Sequence, residues 1–427
     1  MTETHGSSVL RITDVVVTPI AFPDPPLLNS AGVHQPWALR AIVEVRAADG
    51  LTGLGETYGD APHLELLRRA AAALPGLDVF DVAGVHRRVA GAVGDSDASD
   101  RHGLTGPSSR AKTLLRVFSP FEVACLDLQG QAVGRPVSDL LGGRNRDSVP
   151  FSAYLFHKWA AHPGHGPDAW GPALDPEGVV AQARTMIDRY GFESVKLKGG
   201  AMPPAQEIET VRALSDAFPD HALRIDPNCA WTVETSLKVA AETSGLLEYL
   251  EDPTPTITGM SEVARRSGLP LATNMCVVGF DDIAEAFTAD AVQVVLADHH
   301  YWGGLRRSME LAAICRTWGV GVSMHSNSHL GISLAAMVHL AAAVPNLDHA
   351  ADTHTPWQGG VDVVERPLPI TGGAVTVPTG PGLGVTLDRD ALARMHEDYL
   401  RCGITERDDT AYMRSVEPTW EKRRPKW

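Results

Sequence analysis

Cysteine is scarce in this chain: Cys125, Cys229, Cys276, Cys315 and Cys402 are spread over 427 residues with no C-x-x-C pair. An odd and scattered set argues against a disulfide framework and against a cysteine-rich zinc site. No apolar run approaches the roughly 18 residues of a membrane helix. The opening MTETHGSSVLRITD has no basic segment leading into an apolar one, so a secretory signal is not expected and a cytoplasmic, reducing setting is. Positive charge is also short: 37 Lys and Arg face 52 Asp and Glu, for a net charge of −15. Nucleic acids and anionic membranes both require a basic surface, so neither is an expected partner. A small anion stays open, because a pocket can oppose the sign of the whole. What the chain does have is 44% apolar and 21% charged residues, the composition of a globular protein with a sizeable core. At roughly 100–200 residues per domain, the length fits two or three domains, or one large barrel with a smaller unit.

Residues 1–148 read as an α+β unit. A β-type run at Leu10–Phe22 precedes a hairpin in which Ala41–Arg46 and Leu51–Glu56 flank Asp49-Gly50. Helical patterns follow near His63–Ala73 and Phe121–Val133, and the Ser-, Asp- and Gly-rich stretch Gly94–Arg110 reads as a long surface loop. Across residues 149–370 the texture changes, and short apolar runs alternate with amphipathic helical patterns. The strand candidates are Pro150–Phe156, Ser194–Lys198, Leu223–Asp226, Leu247–Asp252, Pro270–Asn274, Ala291–Leu296, Gly319–Met324 and, more weakly, Leu347–Asp352. Thr232 caps a helix that Gly245 ends, and Pro203-Pro204 opens another. Such alternation implies a parallel sheet, and eight repeats favour a closed, modified (β/α)8 barrel of the TIM type over an open sheet. An open doubly wound sheet would usually carry a Gly-rich phosphate turn after its first strand, and none is present. Residues 371–427 hold GPGLGVTLD (Gly380–Asp388), a helix near Arg389–Tyr399 and a basic tail, Glu421–Trp427. They break the repeat and are expected to return to the N-terminal unit, completing an α+β capping domain.

Polar residues recur at the strand ends: Lys196 and Lys198, Asp226, Glu251, Asn274, Asp298 and His325. Successive steps from Lys198 are 28, 25, 23, 24 and 27 residues, about one strand–helix unit of a barrel that runs to roughly 250 residues. Each group therefore falls at a similar height on the C-terminal rim, where barrel active sites sit. In ESVKLKGG, Lys196 and Lys198 share one strand face. Alternating lysines ordinarily mark the wet face of an antiparallel strand, but a barrel strand is covered on both faces. These two need anionic company or a depressed pKa. Asp226, Glu251 and Asn274 offer three oxygen ligands from consecutive strand ends, a set suited to a hard divalent ion such as Mg²⁺; the plain alternative is helix capping.

His325 has Asp298 on the preceding strand, so the carboxylate can hold one imidazole nitrogen and raise the basicity of the other. The plain alternative is a packed histidine, one among 17. His325 and His329 also show H-x-x-x-H spacing, but Ser326 stands where a zinc-protease motif has glutamate. That leaves a zinc-dependent barrel hydrolase as a remote alternative. His299 and His300 are either loop ligands for a substrate or without a role. Lysines and a His–Asp pair opposed across a metal are what proton abstraction next to a carboxylate requires, because the ene-diolate needs a cation and nearby positive charge. A lysine whose pKa is lowered by its neighbour and the metal would serve as base near neutrality.

At this point the chain resembles the enolase superfamily, and within it the glucarate dehydratase subgroup. FEVACLDLQGQAVGRPVSDLLGG (Phe121–Gly143) and GPGLGV resemble the superfamily's framework. VKLKGG, DPNCAW, LEDP, ATNMC, ADHHYWGG, SMHSNSHLGISLAAMVHLAAAVP and DTH resemble the subgroup. Most superfamily members use an acidic third metal ligand, whereas the subgroup uses Asn, as at Asn274. The resemblance implies a Mg²⁺ ion on Asp226, Glu251 and Asn274. It implies Lys198 as one base, tuned by Lys196, and His325 with Asp298 as the opposite acid/base. For substrate it implies Asn29 and His34 from NSAGVH, Tyr154, Ser326 and Asn327 from HSN, His354 from DTH and Arg407 from ERDD, with Thr105 a further candidate. Cys229 stands where the family usually has Gly. The implied reaction is dehydration of a sugar diacid, D-glucarate or its C5 epimer L-idarate, to 5-dehydro-4-deoxy-D-glucarate, in a homo-oligomer. The alternatives are a dehydratase or epimerase of another sugar diacid or aldonate, and a non-catalytic relative that binds acids.

Overall fold

The computed structural model describes residues 10–96 and 108–427. Thr105 and most of the loop expected at Gly94–Arg110 lie outside the described residues. The N-terminal strands are β1 (Ile12–Pro23), the short β2 (Leu28–Asn29) and β3 (Gly32–Val33), β4 (Trp37–Ala47) and β5 (Thr52–Tyr58). β1, β4 and β5 form an antiparallel sheet in that order, with Arg40 opposite both Ile20 and Tyr58. Helix Arg110–Val133 lies directly on β5 because Gly53 and Gly55 have no side chains. A Cβ there would meet the Ala124 and Pro120 carbonyl oxygens at 2.0 and 2.2 Å. This helix starts well before Phe121, where its pattern becomes legible, because Ser109 Oγ caps it by accepting from the Lys112 amide at 3.2 Å.

β6 (Ser148–Pro150) stands outside the barrel. The barrel strands are β7 (Ala153–Phe156), β8 (Ser194–Lys198), β9 (Ala222–Asp226), β10 (Tyr249–Glu251), β11 (Leu271–Thr273), β12 (Val294–Ala297) and β13 (Gly321–Met324), all parallel and paired in sequence order. β14 (Ala374–Thr376) pairs antiparallel with β6. The expected eighth strand is not a regular one. Residues 347–352 close the ring through isolated parallel bridges, Leu347 to Val322 and Ala351 to Phe151. The physical reason lies in Ala350, whose carbonyl accepts from Arg224 Nη1 and Ser323 Oγ, both at 2.8 Å.

The largest hydrophobic cluster packs the barrel strands against their helices, and a second lies between the N-terminal sheet and its helices, including Val82–Val93, which the sequence pattern missed; Tyr249, Ala272, Val294 and Leu296 form a small separate cluster. Helix Gly331–Ala343 is apolar all round and buried at every residue, as that pattern requires. Helix Arg389–Arg401 packs on β1, where His396 Nδ1 lies 2.7 Å from the Pro19 carbonyl oxygen. The basic tail goes elsewhere. The Lys426 and Trp427 amides donate to the Ala230 carbonyl at 2.7 and 3.0 Å, so the tail closes on the barrel loop after β9. Among the described residues no helix is long and apolar enough to cross a membrane.

Cap and barrel are joined at Glu122, whose carboxylate accepts from the Leu305 and Arg306 amides at 2.9 and 3.2 Å. Burial pushes its pKa to about 7 from 4.5, against the opposing pull of those amides and of Arg306. A raised acid favours the folded state fully below pH 4.5 and loses that contribution as pH rises through about 7. Urea denaturation across this window is expected to show a fall in stability, on the order of 3 kcal/mol, that Glu122→Gln removes. Equal slopes in both proteins would contradict it.

Candidate active site

β8 turns Lys196 and Lys198 into the barrel and aligns Lys198 with Asp226 on β9. Lys196 Nζ lies 2.6 Å from Glu251 Oε2, 2.6 Å from Asp352 Oδ2 and 3.8 Å from Asp226 Oδ2. Lys198 Nζ lies 2.5 Å from Asp226 Oδ2. Both ammonium groups sit over the Tyr154 ring, at 4.9 and 5.7 Å from its centre. Of the two ways to bury these lysines, anionic company is the one found. Burial pulls both pKa values down, but Asp352 and Glu251 hold Lys196 well above the ordinary lysine value, and Asp226 and Tyr154 do the same for Lys198. While the carboxylate charges point at them, both lysines are held as ammonium ions. Glu251 is pushed well above the carboxylate range by burial, which Lys196 opposes only in part.

Asp226, Glu251 and Asn274 stand at the ends of the adjacent β9, β10 and β11. Glu251 Oε1 and Asn274 Oδ1 are buried and have no hydrogen-bond partner among the described residues. Leaving a buried acceptor unpaired is costly. These two beside the Asp226 carboxylate make an all-oxygen donor set that fits a hard divalent cation such as Mg²⁺. Asp252 frames the set: its carboxylate accepts from Thr273 Oγ1 at 2.6 Å and from the Asn274 and Met275 amides at 2.8 and 3.0 Å. Asn228 steadies Asp226 by donating its amide to Oδ1 at 2.9 Å. Cys229 has φ 60°, a left-handed backbone that favours glycine.

On the opposite side, Asp298 Oδ2 lies 3.4 Å from His325 Nδ1, while Oδ1 lies 2.6 Å from His300 Nδ1. Burial would raise Asp298, but His300 and His325 hold it well below the usual carboxylate range. Burial lowers the His325 pKa, and Asp298 offsets this only in part, so the imidazole is neutral near pH 7 and able to take a proton. His329 is occupied elsewhere, with Nε2 3.0 Å from Thr353 Oγ1. His325 and His329 do not meet in any of the ligand clusters found among the described residues.

The distal residues gather above. The Asn29 side-chain oxygen accepts from the Ala31 and Gly32 amides at 2.7 and 3.2 Å, tightening the β2–β3 hairpin. Gly32, at φ 143°, is required there because a Cβ would lie 2.7 Å from the Asp409 carbonyl oxygen. Ser30 Oγ donates to the Asn228 carbonyl at 3.3 Å, so the hairpin reaches the loop after β9. His34 is held by Asp24 at 3.0 Å and stacks on His354, which meets the Tyr154 ring edge-on at 5.1 Å. Arg407 Nε and Nη2 fork onto Asp409 at 3.1 and 2.9 Å, and Asn29 Nδ2 donates to the same carboxylate at 3.0 Å. Ser326 Oγ donates to the Asp352 carbonyl at 3.2 Å. Asn327 is engaged by the Tyr58 and Tyr301 hydroxyls at 3.0 and 2.8 Å.

The sequence pattern overlooked Asp352, although it stands 27 residues beyond His325 and so continues the same spacing. It also overlooked Arg40, Glu56 and Tyr58, whose contact with the barrel no local pattern announces.

Fold and site together define a capped (β/α)-barrel enzyme. The profile of the family described as "Enolase C-terminal domain-like" matches residues 178–391, and the chain belongs to that family, within the enolase superfamily. A Streptomyces coelicolor protein named probable glucarate dehydratase is 58% identical over 420 residues, 96% of this chain and 97% of that protein. A crystal structure of an enolase from Thermobispora bispora, complexed with magnesium and formate, is 63% identical, with a TM-score of 0.97 over 98% of this chain and 100% of that one. One from Pseudomonas fluorescens, with magnesium, potassium and tartrate, is 50% identical, with a TM-score of 0.96 over 98% of this chain and 100% of that one.

Proposed function

We propose that the chain is a Mg²⁺-dependent acid-sugar dehydratase converting D-glucarate, or its C5 epimer L-idarate, to 5-dehydro-4-deoxy-D-glucarate. The observation that carries this reading is the opposition of Lys196 and Lys198 to the His325–Asp298 pair, with the Asp226, Glu251 and Asn274 oxygens beside the lysines. The likeness to a protein named probable glucarate dehydratase supports it. Asp226, Glu251 and Asn274 would hold Mg²⁺, which supplies positive charge to stabilise an ene-diolate.

Lys198 takes the proton α to the carboxylate of one epimer, and His325 takes it from the other. The electrons of the broken C–H bond move into the carboxylate, giving the ene-diolate. Its collapse breaks the β C–O bond; the hydroxide takes a proton and leaves as water, and the enol tautomerises to the ketone. Lys196, enclosed by Glu251 and Asp352, stays a cation and neutralises developing negative charge. The barrel, residues 149–370, carries this chemistry. Asn29 and His34 from residues 1–148, and Arg407 from residues 371–427, select the distal end, as planar guanidinium groups suit carboxylates.

Hexarates and aldonates incubated with Mg²⁺ are expected to yield a keto product only from the diacids. Activity confined to monoacids would overturn the choice of substrate. Enzyme stripped by chelation is expected to recover with Mg²⁺ and not with Zn²⁺, the reverse outcome favouring a zinc hydrolase.

A further inference from the structure

We propose that Arg40, on β4 of the cap, is a positioning residue for the His325–Asp298 pair: it fixes His300 as a neutral Nδ1–H donor, so that the proton exchanged beside Asp298 resides on His325. The inference rests on the acid/base assignment of His325 made above. Two imidazoles compete for one carboxylate. Asp298 Oδ1 accepts from the His300 amide at 2.9 Å and lies 2.6 Å from His300 Nδ1, while Oδ2 faces His325 Nδ1 and the Tyr58 hydroxyl, both at 3.4 Å. The contact to His300 is the tighter of the two, so the hydrogen-bond partner of its other nitrogen matters.

That partner is Arg40. Its Nη2 lies 3.0 Å from His300 Nε2 and 3.2 Å from Ser333 Oγ, and Ser333 Oγ is 2.9 Å from the same Nε2. Guanidinium has donors only and does not lose its proton in proteins. Nε2 must therefore present its lone pair to Arg40, which places the hydrogen on Nδ1, where it donates to Asp298. Arg40 cannot turn away. Its Nε donates to Glu56 Oε1 at 2.8 Å, its guanidinium lies 4.7 Å from the Tyr58 ring centre, and the residue is buried. Glu56 is fixed in turn by the Leu330 and Ser333 amides, at 2.8 and 2.9 Å.

The other titratable or charged groups facing His300 leave the balance intact. From the cap these are Glu56, Tyr58, His63 and Arg116; from its own turn, Asp298, His299 and Tyr301; from the segment after β13, His325 and His329. Of the two carboxylates, Glu56 is engaged by Arg40, and Asp298 is the one in contention. Without Arg40, Ser333 Oγ alone faces His300 Nε2, and a hydroxyl can accept a hydrogen from it. Hydrogen on both nitrogens would set a charge against Asp298 Oδ1 and weaken what Oδ2 offers His325.

Imidazole nitrogen NMR on the full chain reads this directly. In the wild type His300 is expected to carry its hydrogen on Nδ1 with Nε2 bare, and in Arg40→Gln Nε2 is expected to carry hydrogen. A wild-type His300 carrying hydrogen on Nε2 overturns the proposal even if no variant folds. Deuterium exchange into the two C5 epimers gives the functional arm. In Arg40→Gln, exchange by His325 is expected to fall about tenfold, the equivalent of one pKa unit, and exchange by Lys198 by less than about twofold. Adding Arg40→Gln to His300→Asn, whose amide cannot ionise, is expected to change the ratio of the two faces no further. Equal losses on both faces, or a further loss in the double variant, would assign Arg40 a merely structural part. The NMR arm requires no turnover, so failure of the dehydratase reading leaves this one separately testable.

Discussion

Lys198→Ala and His325→Asn are each expected to lower proton abstraction from one C5 epimer of a hexarate by about 10²–10⁴-fold, the usual contribution of a positioned acid or base. The loss should be selective, because the two groups approach from opposite sides of the barrel. As found, Lys198 is an ammonium gripped by Asp226 at 2.5 Å. What holds its pKa up against burial is mainly Asp226, with Tyr154 behind it, while Lys196 pulls it down. A cation on Asp226 would engage the charge now opposing burial, leaving burial and Lys196 to release the Lys198 proton. Lys196 differs in kind: Glu251 and Asp352 both lie 2.6 Å from it, so one carboxylate still grips it when the other turns to a metal. Deuterium incorporation into D-glucarate and L-idarate, measured separately, checks the split. Wild-type turnover of both epimers by both variants would refute the acid/base assignment.

The barrel was legible in the chain because a strand buried on both faces is largely apolar, and a polar residue at its end then stands out. That is why Lys198, Asp226, Glu251, Asn274, Asp298 and His325 could be placed by spacing alone. The eighth stave was harder to see, since the Ala350 carbonyl goes to the Arg224 and Ser323 side chains and interrupts its ladder. Asp352 followed the spacing but was hidden by that weak strand. The network of Glu56, Arg40 and His300 had no local signature at all. Arg40 lies 260 residues from His300, on a strand whose alternation predicts only which face is covered. Contacts of that separation are set by how cap meets barrel, which periodicity does not encode. The protonation of the lysines was not legible for a related reason: their pKa values depend on Asp226, Glu251 and Asp352 together, and neighbours in space had to be known first.

Asn274→Leu is expected to abolish the stabilisation that Mg²⁺ confers while leaving the metal-free protein at least as stable as the wild type. The two halves of this expectation have one cause. Asn274 Oδ1 is buried with no donor among the described residues, so in the metal-free chain it is a desolvated acceptor that contributes only cost. Leucine, with the same branching at Cγ, removes that atom, and the backbone geometry survives because the Asn274 amide, not its side chain, is what Asp252 holds at 2.8 Å. With a cation present the sign reverses. Ligand binding to the native state stabilises by RT ln(1 + [L]/Kd), about 2.7 kcal/mol at a hundredfold excess over Kd. If losing one of three protein ligands weakens binding about a hundredfold, the same Mg²⁺ concentration yields only about 0.4 kcal/mol. Thermal melts with and without Mg²⁺ therefore separate the proteins: a large shift for the wild type, almost none for the variant, with the metal-free midpoints level or favouring leucine. An undiminished Mg²⁺ shift in Asn274→Leu would remove Asn274 from the ligand set. A collapse of the metal-free midpoint would instead make it a structural residue of the β11 loop.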